Sequence, residues 1–162
     1  MTSFYDDVIK KSKLFASSKR VASLDLLEPT FRAKVQAIVD DAASHDIKLM
    51  VFETYRSQAR QQQLYNEGAS KLKTVGVHHH YGLAADIVYQ RGGEPSWKGD
   101  FHFLGQLARA HNLIWGGNWG YPQSPHSFID ADHVQWCTVG RQAALFRGEW
   151  YPAAGYDPYQ EL

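Results

Sequence analysis

His78-His79-His80-Tyr81-Gly82-Leu83-Ala84-Ala85-Asp86 runs straight into Ile87-Val88-Tyr89, and how this stretch is read decides where a strand and a site can lie. Ala84 to Tyr89 is short and apolar and reads as a strand, closed by Arg91-Gly92-Gly93. Strand alternation puts Asp86 with Ala84 on one face and Ala85 with Ile87 on the other. Imidazole and carboxylate are both common zinc ligands. One ion could join a histidine of the triplet to Asp86 only if the chain bends, because a seven-residue helical separation rises about 10.5 Å. Gly82 lies between them, where an unusual backbone angle costs least. In an extended stretch His78 and His80 point one way and His79 the other, so spacing leaves open which side supplies the ligand. A solvated histidine-rich loop, with Asp86 as a strand-end cap, is the plainer alternative.

Working outward, Tyr5 to Leu14 reads as a short first helix. Pro29 sits where a helix start accepts proline, and Phe31, Val35, Ile38, Val39 and Ala42 give the clearest amphipathic period, ended by His45-Asp46. Ile47 to Thr54 is a β-rich candidate strand. Ser57 is an N-cap for a helix over Gln58 to Asn66, with Gly68 as its stop. Ala69 to Val77 reads as a loop, Phe101 to Ala110 as a third helix, Trp115 to Phe128 as a structured loop and His133 to Cys137 as a strand. This order predicts an α+β fold in a single domain, 1–162, with a small antiparallel sheet and helices packed mainly on one side.

Composition narrows the function classes. The chain has 162 residues, 44% hydrophobic and 21% charged, which suits one globular core rather than a disordered chain. Lys+Arg and Asp+Glu are each 17, so the formal net charge is zero and no global field draws nucleic acid or an anionic membrane. No apolar run approaches the roughly 20 residues that span a bilayer. Cys137 is the only cysteine, so no intrachain disulfide forms, and its apolar surroundings suit a buried hydrophobe. No secretory leader is visible in MTSFYDDVIKKSKLF, so action outside the cell calls for lysis, another export route or a segment outside this sequence.

Two further segments carry chemistry. Asp130-Ala131-Asp132-His133 places two carboxylates and a histidine together. A hydrolytic zinc site needs three protein ligands, an open position for water and a nearby base. His133 can be the third ligand and Asp130 the base only if the backbone turns between them, because strand positions three apart face opposite sides; in a straight strand Asp132 or neither would have to serve. Arg56, in Glu53-Thr54-Tyr55-Arg56-Ser57, offers a permanent charge and a forked donor suited to an oxyanion; a surface arginine at a helix start is its plainer reading. His45, His102, His111 and His126 read as exposed or helix-end residues, with His126 the substitute for His133. Glu53, Asp100 and Asp132 receive no role.

These segments, in this order, resemble the LAS-type zinc peptidases. That family groups D-alanyl-D-alanine carboxypeptidases and dipeptidases with L-alanyl-D-glutamate endopeptidases, phage endolysins among the latter. The family pattern SxHxxGxAxD is similar to Val77 through Asp86 and implies His79, not its neighbours, as ligand. Asp130-Ala131-Asp132-His133 resembles the later E/D-x-x-H pattern, which implies Asp130 as base and His133 as third ligand. Thr54-Tyr55-Arg56-Ser57, with Arg60-Gln61 and Leu64-Tyr65, resembles a YRS…RQ…LY segment and implies Arg56 as the contact to the substrate carbonyl and oxyanion. Trp115-Gly116-Gly117-Asn118-Trp119 resembles a WGGxW stretch near the site, and Tyr81, Trp115 and Trp119 are candidate cleft walls. The likeness covers about 26–135. Val77 departs from the pattern, standing where the family has serine.

The resemblance implies Zn2+ on His79, Asp86 and His133 and hydrolysis of the peptidoglycan stem peptide in the bacterial cell wall, at the L-alanyl-D-glutamate bond; a monomer is expected. D-alanyl-D-alanine carboxypeptidase action is the alternative. A non-catalytic zinc-binding module is the second, with Val77 its only support.

Overall fold

In the computed structural model, which describes residues 4–70, 77–119 and 129–162, the N-terminal segment makes a π-helical turn at Tyr5–Ile9. The helix expected to reach Leu14 stops there and continues as turns, since Ser12 accepts from the Leu14 amide through its side chain and from the Phe15 amide through its carbonyl.

Helix α1, Pro29–Ser44, follows the predicted period. Glu28 caps it, accepting from the Thr30 and Phe31 amides at 3.1 and 2.8 Å. Phe31, Val35, Ile38 and Ala42 are fully buried. Burying the larger of these side chains contributes about 1.5–3 kcal/mol each, so packing rather than intrinsic propensity holds α1. Asp46, at φ 59°, turns the chain out of the helix into β1, Leu49–Glu53. Ser57 caps α2, Gln58–Asn66, by accepting from the Arg60 amide at 3.0 Å. Gly68, at φ 76°, ends it.

The short helical turn α3, Val77–His80, precedes β2, Ala84–Arg91. The Gly92-Gly93 turn returns the chain as β3, Glu94–Ser96, a strand that the sequence reading lacked. Helix α4 spans His102–Ala110, β4 Ile114–Trp115, β5 His133–Gln135 and α5 Gln142–Phe146. The segment read as a loop from Trp115 therefore begins as a strand residue and a 3-10 turn at Gly116–Asn118; its 120–128 portion lies outside the described residues.

The sheet runs β1-β2-β5-β4, antiparallel at each pairing, with β3 also paired to β2. This is the α+β arrangement expected. Ala85 and Ile87 of β2 and Val134 of β5 join the core with Phe31, Val35 and Ile38 of α1 and Leu104, Leu107 and Ala108 of α4. Cys137 is buried in the same cluster. Asp86 and His133 alternate with these core residues and so face the opposite side of the sheet. No helix among the described residues is long and apolar enough to cross a membrane.

Candidate metal centre

Three residues form one row across three strands: Glu53 of β1 pairs with Asp86 of β2, which pairs with His133 of β5. A bulge puts Glu53 in that row. Val51 pairs with Ile87 and Glu53 with Asp86, leaving Phe52 as an extra residue. Period two alone would keep Val51 and Glu53 on one face. The added residue leaves Val51 toward the core and turns Glu53 toward Asp86.

His79 reaches the row from the α3 turn above it. Gly82, at φ 73°, makes the bend between His79 and Asp86. A Cβ there would sit 2.7 Å from the Leu26 carbonyl oxygen, so both the angle and the space call for glycine. The Glu28 amide, donating to the Gly82 carbonyl at 3.0 Å, fastens the bend to the start of α1.

Hydrogen bonds fix which nitrogen of each histidine is free. His79 Nδ1 lies 2.9 Å from the Thr54 carbonyl oxygen. That oxygen can only accept, so Nδ1 carries the proton and the Nε2 lone pair faces Asp86 Oδ1, 3.6 Å away. His133 needs one more step. Gln135 donates its amide to the Cys137 carbonyl at 2.7 Å, which leaves Gln135 Oε1 to face His133 Nε2, also at 2.7 Å. His133 Nε2 therefore donates, and its Nδ1 lone pair faces Asp86 Oδ1 at 3.4 Å. One ligand atom from each of His79, Asp86 and His133 lies within 4.8 Å of the others. Tetrahedral ligands about 2.0–2.1 Å from a zinc ion stand about 3.4 Å apart, so the three atoms fit one ion. Burial alone would push Asp86 up, but His79 and His133 when protonated, together with Arg56, outweigh it and hold the carboxyl well below the usual carboxylate range.

The backbone does turn between Asp130 and His133. The His133 amide donates to the Asp130 carbonyl at 3.2 Å, and the Asp130 amide donates to the Gly116 carbonyl at 3.0 Å. Gly116 has to lack a side chain, because a Cβ would fall 2.3 Å from the Asp130 carbonyl oxygen. The turn brings the carboxylates of Asp86, Asp130 and Asp132 within 4.8 Å of one another. Asp132 is pushed up to about 9 by burial first and then by Asp86 and Asp130.

The chain is 30% identical over 114 residues to the L-alanyl-D-glutamate peptidase of Listeria phage A118, covering 67% of this chain and 40% of the phage protein. It is 26% identical over 119 residues to the peptidoglycan L-alanyl-D-glutamate endopeptidase CwlK of Bacillus subtilis, covering 62% of this chain and 71% of that one. The chain belongs to the LAS-type peptidase family. It spans well under half the length of its phage relative. A solved variant of the D,D-pentapeptidase VanY, from a VanB-type vancomycin-resistance cassette and in complex with Zn(II), has the same fold. It superposes with a TM-score of 0.52 at 14% identity, covering 75% of this chain and 79% of that chain. No protein-family model matches the chain.

In this LAS-type peptidase the arginine picked out from sequence is no surface residue. Arg56 Nη2 donates to Glu53 Oε1 and to Asp86 Oδ2, both at 2.9 Å, and Nη1 to Gln61 Oε1 at 3.1 Å. Arg60 Nε donates to the other Glu53 oxygen at 2.9 Å. Glu53, only 1% exposed, is thus held between two guanidinium groups. Sequence reading gave Glu53 no role, and it missed Gln135 altogether. Asp132 had none either, yet it sits in the carboxylate group and accepts from Trp97 Nε1 at 2.9 Å.

The aromatic residues divide. Trp119 lies against the His133 ring, centroids 5.0 Å apart. Trp115 donates to the Ala131 carbonyl at 2.6 Å and so supports the Asp130 turn. Tyr81 stacks on Tyr5, centroids 4.8 Å apart. His102 pairs with Asp100 and His111 with Asp41, and His45 bonds the Asp41 carbonyl, all apart from the ligand set. The side chains of Val77 and His78, and all of His126, lie outside the described residues.

Proposed function

We propose that this LAS-type peptidase is a zinc enzyme that hydrolyses the L-alanyl-D-glutamate bond of the peptidoglycan stem peptide, with His79, Asp86 and His133 as ligands, Asp130 as catalytic base and Arg56 as the cation near the scissile carbonyl. The observation that carries this reading is the aim of two free imidazole lone pairs, His79 Nε2 and His133 Nδ1, at one oxygen of Asp86. Both curated relatives bear the L-alanyl-D-glutamate activity in their names, and the VanY structure is a complex with Zn(II). A bound zinc ion would supply a Lewis acid and water activated near neutral pH.

The protein's own groups do the rest. Asp130, on a turn pinned at both its amide and its carbonyl, takes the proton of the attacking water and hands it to the leaving amine. Arg56 steadies the distal oxygen of Asp86, so that Oδ1 stays toward the histidines. Arg56 Nη2 spends its donors on Glu53 and Asp86, whereas Nη1 donates only to Gln61 Oε1, which leaves an N–H for a substrate carbonyl. Trp119 limits rotation of the His133 ring.

The test is digestion of purified peptidoglycan followed by mass spectrometry of the fragments, with zinc content measured on the same preparation. Cleavage after L-alanine, lost on chelation and restored by zinc, is the result expected. Release of terminal D-alanine points to carboxypeptidase action instead. Zinc bound at one equivalent with no cleavage of either kind leaves a binding module.

A further inference from the structure

Trp97 is 50% exposed, yet its indole is held at two points. Its Nε1 donates to Asp132 Oδ2 at 2.9 Å. Its ring meets the Phe52 ring edge-on, centroids 4.8 Å apart and planes at 80°. Phe52, the bulged residue of β1, is backed in turn by the Arg20 guanidinium, 4.5 Å from the ring centroid. The indole is therefore fixed without being buried. Since its N–H is already satisfied, what it turns to solvent is a π face, suited to C–H groups or a cation rather than to an anion or a further hydrogen bond. It also stands close to the chemistry: Asp132 precedes His133, and its carboxylate is grouped with those of Asp86 and Asp130. The ring is two contacts from the carboxylate that faces the metal site.

We propose that Trp97 is a substrate contact, a platform for the C–H face of the N-acetylmuramyl sugar that carries the stem peptide. This rests on the L-alanyl-D-glutamate reading above and names the part of the substrate that lies beyond the scissile bond. In that reading the scissile carbonyl belongs to the residue joined to the sugar, so the pyranose ring lies about two residue lengths, roughly 7 Å, from the cut. For a cut between terminal D-alanines the sugar is, on the same count, five residue lengths away, roughly 17 Å in an extended chain. A fixed aromatic so near the ligands meets the sugar in the first case and misses it in the second.

The experiment uses two peptides of identical sequence beginning L-alanyl-D-glutamyl, one N-capped by muramic acid and one by acetyl, with the zinc-loaded full chain. The unmodified protein is expected to show a KM about five- to tenfold lower for the muramyl peptide, the range an added aromatic contact supplies. Trp97→Ala should erase that preference by raising KM for the muramyl peptide, with kcat on it held within about twofold. Trp97→Phe keeps a ring but loses the tether to Asp132 and should fall between. Equal KM for the two peptides in the unmodified protein overturns the platform and leaves the peptidase reading standing. So does a Trp97→Ala protein that loses kcat on both alike. If neither peptide is cut while a pentapeptide loses its terminal D-alanine, the reading beneath the proposal fails and the proposal goes with it.

Discussion

On the side of Asp86 that faces β1 and α2, each charge meets its opposite. Glu53 takes Arg56 and Arg60, and Arg56 also takes the distal oxygen of Asp86. On the side that faces the turn before β5, Asp130 and Asp132 stand close to Asp86 with no ion pair of their own among the described residues. Burial, Asp86 and Asp130 push Asp132 up to about 9. The first side is neutral overall, buried and fixed. The second concentrates carboxyl groups that would rather be apart, an arrangement that costs stability and suits proton transfer. The difference separates a half that positions Asp86, the proposed ligand, from a half that is proposed to react.

The comparison breaks most clearly at Asp130. Asp130→Ala should lower kcat/KM by about 10²–10⁴-fold, while zinc content by elemental analysis and the urea midpoint stay close to those of the unmodified protein. Turnover that persists would place the base elsewhere. Glu53→Ala tests the other half. It leaves two guanidinium groups buried without their shared partner, and urea unfolding should show a loss of about 3–5 kcal/mol. A Glu53→Ala protein of unchanged stability but lost turnover would move Glu53 to the reacting half.

Gln135→Leu is the next step down. The imidazole of His133 then loses the acceptor that keeps its proton on Nε2, and zinc affinity should fall about 10–100-fold in competition with a chromogenic chelator. Affinity left intact would mean that the strand and Trp119 alone orient the ring. The smallest effect is expected from Gly116→Ala. The new methyl presses on the Asp130 carbonyl and should cost about 1–3 kcal/mol in thermal or urea unfolding, with activity falling beyond what the stability loss explains. If activity instead follows stability alone, the placement of Asp130 is less exacting than the turn suggests.

Helices α1 and α2 were legible because each carries local punctuation: Pro29 at the first turn, Ser57 as cap and Gly68 as stop. The turn between Asp130 and His133 was legible as a condition, since a flat strand could not unite them. The histidine register was not legible from spacing, because the triplet lies in a helical turn whereas the alternation argument assumed extended chain; family likeness supplied His79. Glu53 was hidden by the bulge, which reverses the face that period two assigns. Gln135 was hidden at the end of a three-residue buried strand, where only its neighbours' polar atoms reveal its use. β3 contains Pro95, which cannot donate to a ladder, and β4 is two residues long, so neither gave a periodic signal. The consecutive glycines 92 and 93, both at positive φ, were a hairpin signal that could have found β3.

The extra residue at Phe52 has a consequence for how this protein can change length. Removing it would restore an uninterrupted ladder, in which the glutamate following Val51 still falls opposite Asp86. A one-codon deletion here should therefore keep Glu53 opposite the Asp86 carboxylate while forfeiting the kink, the ring that meets Trp97 and the carbonyl that accepts from Arg20. Any comparison of this chain with a relative of shorter β1 has to open its gap at this position, or it will set an apolar residue against the buried acid.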